Sequence, residues 1–153
     1  MRIILSVVLS LWASLSLADV TAREGWVVIE TRKPFDQLVD DVKAAVSANK
    51  MGVVTQAGPT GAAKARGIIL PGNRVIGVFN NVYAVRILAL STAAMIEAPI
   101  RLYVTETDDG ATLSYKTPSL VFAPYMAEAG PDLGLAASEL DAIFRAIAEA
   151  AAG

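Results

Sequence analysis

The chain has 153 residues, 13 Lys and Arg against 15 Asp and Glu for a formal net charge of −2, and neither cysteine nor histidine. Without cysteine there are no disulfides, thiol nucleophiles or Cys-based metal sites, and without histidine the commonest metal ligand, the usual general base near neutral pH and every Ser-His triad are gone. The near-balanced charge gives no pull toward nucleic acid, and no metal or cofactor is expected.

At the N-terminus, Arg2 precedes an apolar run from Ile3 to Leu17 broken only by serines, and Ser16 and Ala18 are small residues placed for cleavage before Asp19. The run is shorter than the ~20 residues a spanning helix needs. A cleaved secretory signal over residues 1–18 is therefore expected, leaving one domain over residues 19–153 with a net charge of −3 once Arg2 is lost. That product would be periplasmic or secreted, with no stable membrane span.

Trp26 to Thr31 is β-branched and aromatic, reads as a strand, and stops at Pro34. Pro34 suits the first turn of a helix in which Phe35, Leu38, Val39, Val42, Ala45 and Val46 form an apolar stripe. Asp36, Gln37, Asp40, Asp41, Lys43 and Ser47 occupy the solvated side, and Gly52 lies where the chain turns out. Val53 to Gln56 is a short strand. Thr60 to Arg66 can make two helical turns with Thr60 as cap and Gly67 as terminator. Gly58, Gly61 and Gly67 match neither GxxxxGK[ST] nor GxGxxG, so a phosphate loop is rejected.

Val75 to Phe79 is the next strand, ending at Asn80 and Asn81. Val82 to Met95 carries Arg86 as its only charge and is apolar almost all round, as in a deeply packed helix or one that also meets a partner subunit. After Pro99, Ile100, Leu102 and Val104 alternate with Arg101, Tyr103 and Thr105. Leu113 and Tyr115 alternate with Thr112, Ser114 and Lys116 beyond an Asp108-Asp109-Gly110 turn. An even loop, either Asp109-Gly110 or Thr107 to Gly110, keeps the apolar set on one face, whereas an odd loop splits it. Tyr103 then lies opposite Lys116 in the first case and Ser114 in the second. Leu133, Ala136, Ala137, Leu140, Ile143, Phe144 and Ile147 form the stripe of a C-terminal helix.

The order β-α-β-α-β-α-β-β-α predicts an α+β fold, a mixed β-sheet with helices packed on one face. From Gly25 onward the chain resembles the domain-of-unknown-function 302 family. The resemblance lies in the PFDQLVDDVKAAVSANKMGVV segment, the alanine-rich turn at Gly61 to Gly67, and Phe79-Asn80-Asn81-Val82 where the family has Phe-Gly-Asn-Pro. It continues in APIRLYVTETDDGATLSYKTP, similar to a Pro-led strand, acidic turn and Ser-Tyr-Asn-x-Pro sequence. It implies a compact α+β domain, often a homodimer, with no agreed activity or catalytic residues to carry over. Asn80 and Val82 replace the Gly and Pro of the family turn, which suggests a left-handed asparagine. Ile100 stands where some members have Cys, so no thiol role applies.

The residues placed to meet a ligand are Asn80, Asn81 and Tyr83 at a strand-to-helix junction, Glu97 and Arg101 flanking the start of the hairpin, and Tyr115 with its hydroxyl at the core edge. Turn formation and capping are the favoured account of the asparagines, and a surface ion pair that of Glu97 and Arg101. Asp40-Asp41 and Asp108-Asp109 read as surface and turn residues. Three functions are compatible with this pattern. A non-catalytic ligand-binding or accessory module of the cell envelope suits an exported domain without His or Cys. The alternatives are a hydrolase-like enzyme using carboxylate, Lys or Tyr groups, and a structural homodimer subunit built on the Val82 to Met95 helix or the outer face of the hairpin. For the helix, the competing account is a lid from Pro118 to Gly130, carrying Leu120, Val121, Phe122, Tyr125 and Met126, that covers it within the same chain.

Overall fold

The computed structural model describes residues 20–153. The signal expected over residues 1–18 lies outside the described residues. The elements are β1 (Trp26–Thr31), α1 (Phe35–Ala48), β2 (Gly52–Ala57), α2 (Thr60–Ala65), β3 (Asn73–Phe79), α3 (Asn81–Leu90), β4 (Ile100–Thr107), β5 (Gly110–Lys116), α4 (Pro118–Phe122), α5 (Met126–Ala129) and α6 (Pro131–Ala152). Short 3-10 turns occupy Ala94–Glu97 and Ala123–Tyr125. The class is α+β, in the expected element order.

The strands lie in the order β1-β5-β4-β3-β2, and every neighbouring pair is antiparallel, so the sheet is not mixed. A crossover helix commonly joins parallel neighbours, as a mixed sheet would have. Here α1 instead carries the chain from one edge of the sheet to the other. The two strands it joins run the same way with three strands between them.

Alternation decides which side is covered. Val27 and Ile29 of β1, Leu113 and Tyr115 of β5, Leu102 and Val104 of β4, and Ile76 and Val78 of β3 share the face packed by α1 and α6. From α1, Leu38, Val39, Val42, Ala45 and Val46 are buried as expected, and from α6, Leu133, Leu140, Phe144 and Ile147 are. The Tyr115 ring meets Phe144 with centroids 5.8 Å apart. At ~1.5–3 kcal/mol per fully buried large side chain, this layer is the main support of the fold. Pro34 stands just before α1 rather than inside its first turn. Lys33 donates to Asp41 and to the Ala151 carbonyl, each at 2.8 Å, so Asp41 helps tie α1 to the end of α6 and is not merely solvated. Gly72 leaves room for the Phe35 ring, which a Cβ there would approach to 2.6 Å.

The hairpin takes the even register in which Tyr103 faces Ser114, with Thr107 paired to Gly110 and Asp108-Asp109 alone at the tip. Thr60 is not a cap: its hydroxyl donates to the Pro71 carbonyl at 3.1 Å, while Gly67, at φ +76°, terminates α2 as expected. The helix expected over Val82 to Met95 breaks at Ser91, whose extended backbone ends α3 and whose hydroxyl accepts from the Ala94 N–H to start the next turn.

Of α3 only Ile87 is buried. Val82, Val85 and Leu88 are 77, 69 and 49 % exposed. The Pro118 to Gly130 segment does fold onto the neighbouring part of the same chain. Phe122 is buried, Tyr125 donates to Glu97 at 2.7 Å, and Ser91 donates to Glu128 at 2.5 Å. It leaves the Val82, Val85 and Leu88 side of α3 uncovered. Among the described residues no helix is long and apolar enough to cross a membrane.

Candidate functional site

The six residues singled out from the sequence fall into two places. Asn80 closes the first: its side-chain oxygen accepts from the Val82 and Tyr83 N–H groups at 2.8 and 3.3 Å, and its amide donates to the Lys50 carbonyl at 2.9 Å. The N–H groups expected to meet an anion are thus held by the cap. Asn80 is extended, at φ −148°, and not left-handed. Among the described residues the non-glycine residue at positive φ is Lys50, at 58°, where the chain leaves α1.

Asn81 is the exposed first residue of α3. Tyr83 donates to Glu139 at 3.1 Å, beside an Arg86 to Glu139 ion pair at 2.8 Å. The Arg86 hydrogen bond holds the Glu139 carboxyl below its ordinary range, and burial, with the Glu139 bond, pushes the Tyr83 phenol up. The space bounded by Asn80, Tyr83, Ile87, Phe122 and Phe144 measures about 30 Å³, room for a water and no more.

The second place is the open face of the sheet. A groove of about 400 Å³ lies there, lined in part by Trp26, Glu97, Arg101, Tyr103, Ser114 and Lys116. Glu97 and Arg101 border it but do not form the expected ion pair. Glu97 accepts from Tyr125, and the salt bridges among the described residues join other side chains. The bond to Glu97 raises the Tyr125 phenol above its usual range, which keeps it a donor. Tyr115 touches the groove from below. Its ring is in the core, and burial raises its hydroxyl.

Trp26, Tyr103, Ser114 and Lys116 complete the groove and were not marked as site residues by sequence. Strand pairing sets Trp26 opposite Lys116, and Ser114 between Val28 and Tyr103. The Lys116 ammonium and the Arg23 guanidinium lie 5.4 and 5.0 Å from the centre of the Trp26 ring. Asn73 donates to the Tyr103 hydroxyl. Ser114 is 1 % exposed, and its hydroxyl has no hydrogen-bond partner. A buried polar group left unpaired costs about 1–3 kcal/mol, so it calls for an explanation. Arg74 Nε shares that condition on the helix-covered face, opposite Val104. The available signal was alternation: with Leu113 and Tyr115 turned inward, Arg101, Tyr103, Ser114 and Lys116 had to share the outer face.

Among the described residues, no three His, Cys, Asp or Glu side chains gather as a metal site would require. The groove thus offers two cations, one engaged carboxylate, hydroxyls and aromatic walls, a set fitted to hold a molecule.

No curated protein matches the chain. A solved structure, that of an uncharacterized conserved protein DUF302 from Bacillus stearothermophilus, is similar in fold, with 14 % identity and a TM-score of 0.74 over 84 % of this chain and 99 % of that one. The family model described as Domain of unknown function DUF302 matches residues 27–151, which take in all five strands except Trp26 and both helices of the core layer but for Ala152. The chain therefore belongs to the DUF302 family.

Proposed function

We propose that the protein is an exported, non-catalytic ligand-binding or accessory module of the cell envelope, and that the open-face groove is where it holds a small molecule. Ser114 carries this reading: its buried hydroxyl has no partner among the described residues, and the residue borders a concavity of about 400 Å³, within the range of small-molecule sites. A glycoside hydrolase needs two carboxyls, ~5–9.5 Å apart. Glu97 is the one carboxylate among the groove's described lining residues, so the lining favours binding over catalysis.

The export part rests on the signal-type pattern ending at Ala18. Native mass spectrometry of protein recovered from its own cell envelope tests both parts. The expected species is the Asp19 to Gly153 chain with a small-molecule adduct that denaturation releases. A chain retaining Met1 to Ala18 would make it a tethered protein, and a chain that carries no adduct would contradict the binding role.

A second reading, the structural homodimer, is favoured by α3. Val82, Val85 and Leu88 recur at three-residue intervals and stay exposed, and monomers seldom leave a large apolar patch open. Light scattering across a dilution series should show a dimer that Val85→Glu weakens. A monomer at every concentration would exclude it.

A further inference from the structure

We infer that the occupant of the groove is a small organic anion, an acid group carried on a flat apolar body. The inference rests on the binding reading of the open face and adds the chemistry of the ligand. Its first support is charge. Lys116 pairs with Trp26 and Arg101 with Gly77, and the β4–β5 register that sets Leu102 opposite Tyr115 brings Arg101 beside Lys116 one step further. Like charges side by side on adjacent strands repel. Neither cation belongs to a salt bridge among the described residues, and the one carboxylate of the lining is already engaged by Tyr125. Two cations against one carboxylate leave an excess of positive charge in the lining among the described residues.

The second support is the neighbouring row, Val28, Ser114, Tyr103 and Val75, where the unpartnered hydroxyl of Ser114 sits next to the Tyr103 ring. An acid group against the Arg101 fork receives two parallel N–H bonds, and the loose positive charge is thereby answered. The body of the ligand lies along Trp26 and Tyr103, with Ile100 and Val121 as apolar borders. A bare inorganic anion would leave those surfaces in water. Beyond Arg101 the floor is closed: a Cβ on Gly77 would stand 2.1 Å from the Thr55 hydroxyl and 2.8 Å from the Pro99 ring.

Titration calorimetry with three probes tests this: 2-naphthoate, its uncharged counterpart 2-naphthamide, and inorganic phosphate. Naphthoate should bind at least about tenfold more tightly than naphthamide, roughly the worth of one charge-assisted hydrogen bond, and phosphate should give no measurable heat. Arg101→Gln, on an exposed side chain, should remove most of that preference, bringing naphthoate affinity down toward that of naphthamide. Equal affinity for the two aromatic probes, or a naphthoate preference untouched by both Arg101→Gln and Lys116→Gln, would overturn the anion assignment while leaving the groove a binding site. Failure of both aromatic probes to bind would overturn the ligand reading itself.

Discussion

The two faces of the sheet are made from alternate residues of the same five strands, yet they obey different rules. On the helix-covered face Leu102, Val104, Leu113 and Ile76 are fully excluded from water. On the open face the corresponding positions are Tyr103, Thr105, Ser114 and Val75, and the row beside them holds two unpaired cations. The covered face is filled by packing, with Arg74 Nε unpartnered at its border, and the open face keeps an unpartnered hydroxyl beside an excess of positive charge. Features that cost stability and touch no helix are where a binding role is best sought.

The comparison can be broken most severely from the covered side. Leu38→Asp puts a carboxylate at a position with no exposure in the first helical stripe and should unfold the domain, a loss of more than about 4 kcal/mol seen as a missing cooperative melt by circular dichroism. Phe122→Ala should cost about 3–5 kcal/mol by the usual cavity cost of a buried aromatic, and should expose the chain around Pro124 to protease. An unchanged proteolysis pattern would show that the segment after β5 is held by its hydrogen bonds instead.

Changes on the open face should behave in the opposite way. Ser114→Ala removes a hydroxyl that has no partner, so chemical denaturation should find stability unchanged or raised by up to about 1 kcal/mol. A clear loss would mean that the hydroxyl has a structural partner.

The smallest effect concerns pH. The hydrogen bond from Lys33 lowers the Asp41 carboxyl, and the bond from Arg86 lowers that of Glu139. A carboxyl lowered in the folded state stabilises fully above its ordinary value, ~4, and the contribution fades as pH falls through the lowered folded value. Stability measured between pH 5 and 2 should therefore fall slightly less steeply in an Asp41→Asn, Glu139→Gln double variant. An identical slope would show that these exposed pairs contribute nothing measurable.

What the sequence disclosed followed from periodicity. The α1 and α6 stripes and the hairpin faces need only the pattern of apolar residues, because burial of one side is what fixes them. Sheet order did not follow, since nothing local states that the α1 crossover spans the whole sheet. The break at Ser91 was hidden because an apolar run continues through Ala94 and Met95, and what ends the helix is one serine hydroxyl capping the next turn. Asn80 was legible as a cap, but a family glycine replaced by asparagine misled about its backbone, which capping requires to be extended. For the site, Glu97 and Arg101 were found as neighbours of the hairpin start. Ser114 was placed on the outer face, opposite Tyr103 in one of the two even registers, but nothing in the sequence states that its hydroxyl is buried without a partner.

The binding reading puts ligand contact on the open face rather than at the Asn80 to Arg86 junction. Backbone amide shift mapping by NMR during titration with 2-naphthoate tests it directly. Shifts should concentrate at Trp26, Arg101, Tyr103, Ser114 and Lys116, with Asn80 to Arg86 unmoved; shifts centred on Asn80, Tyr83 or the exposed side of α3 would contradict it.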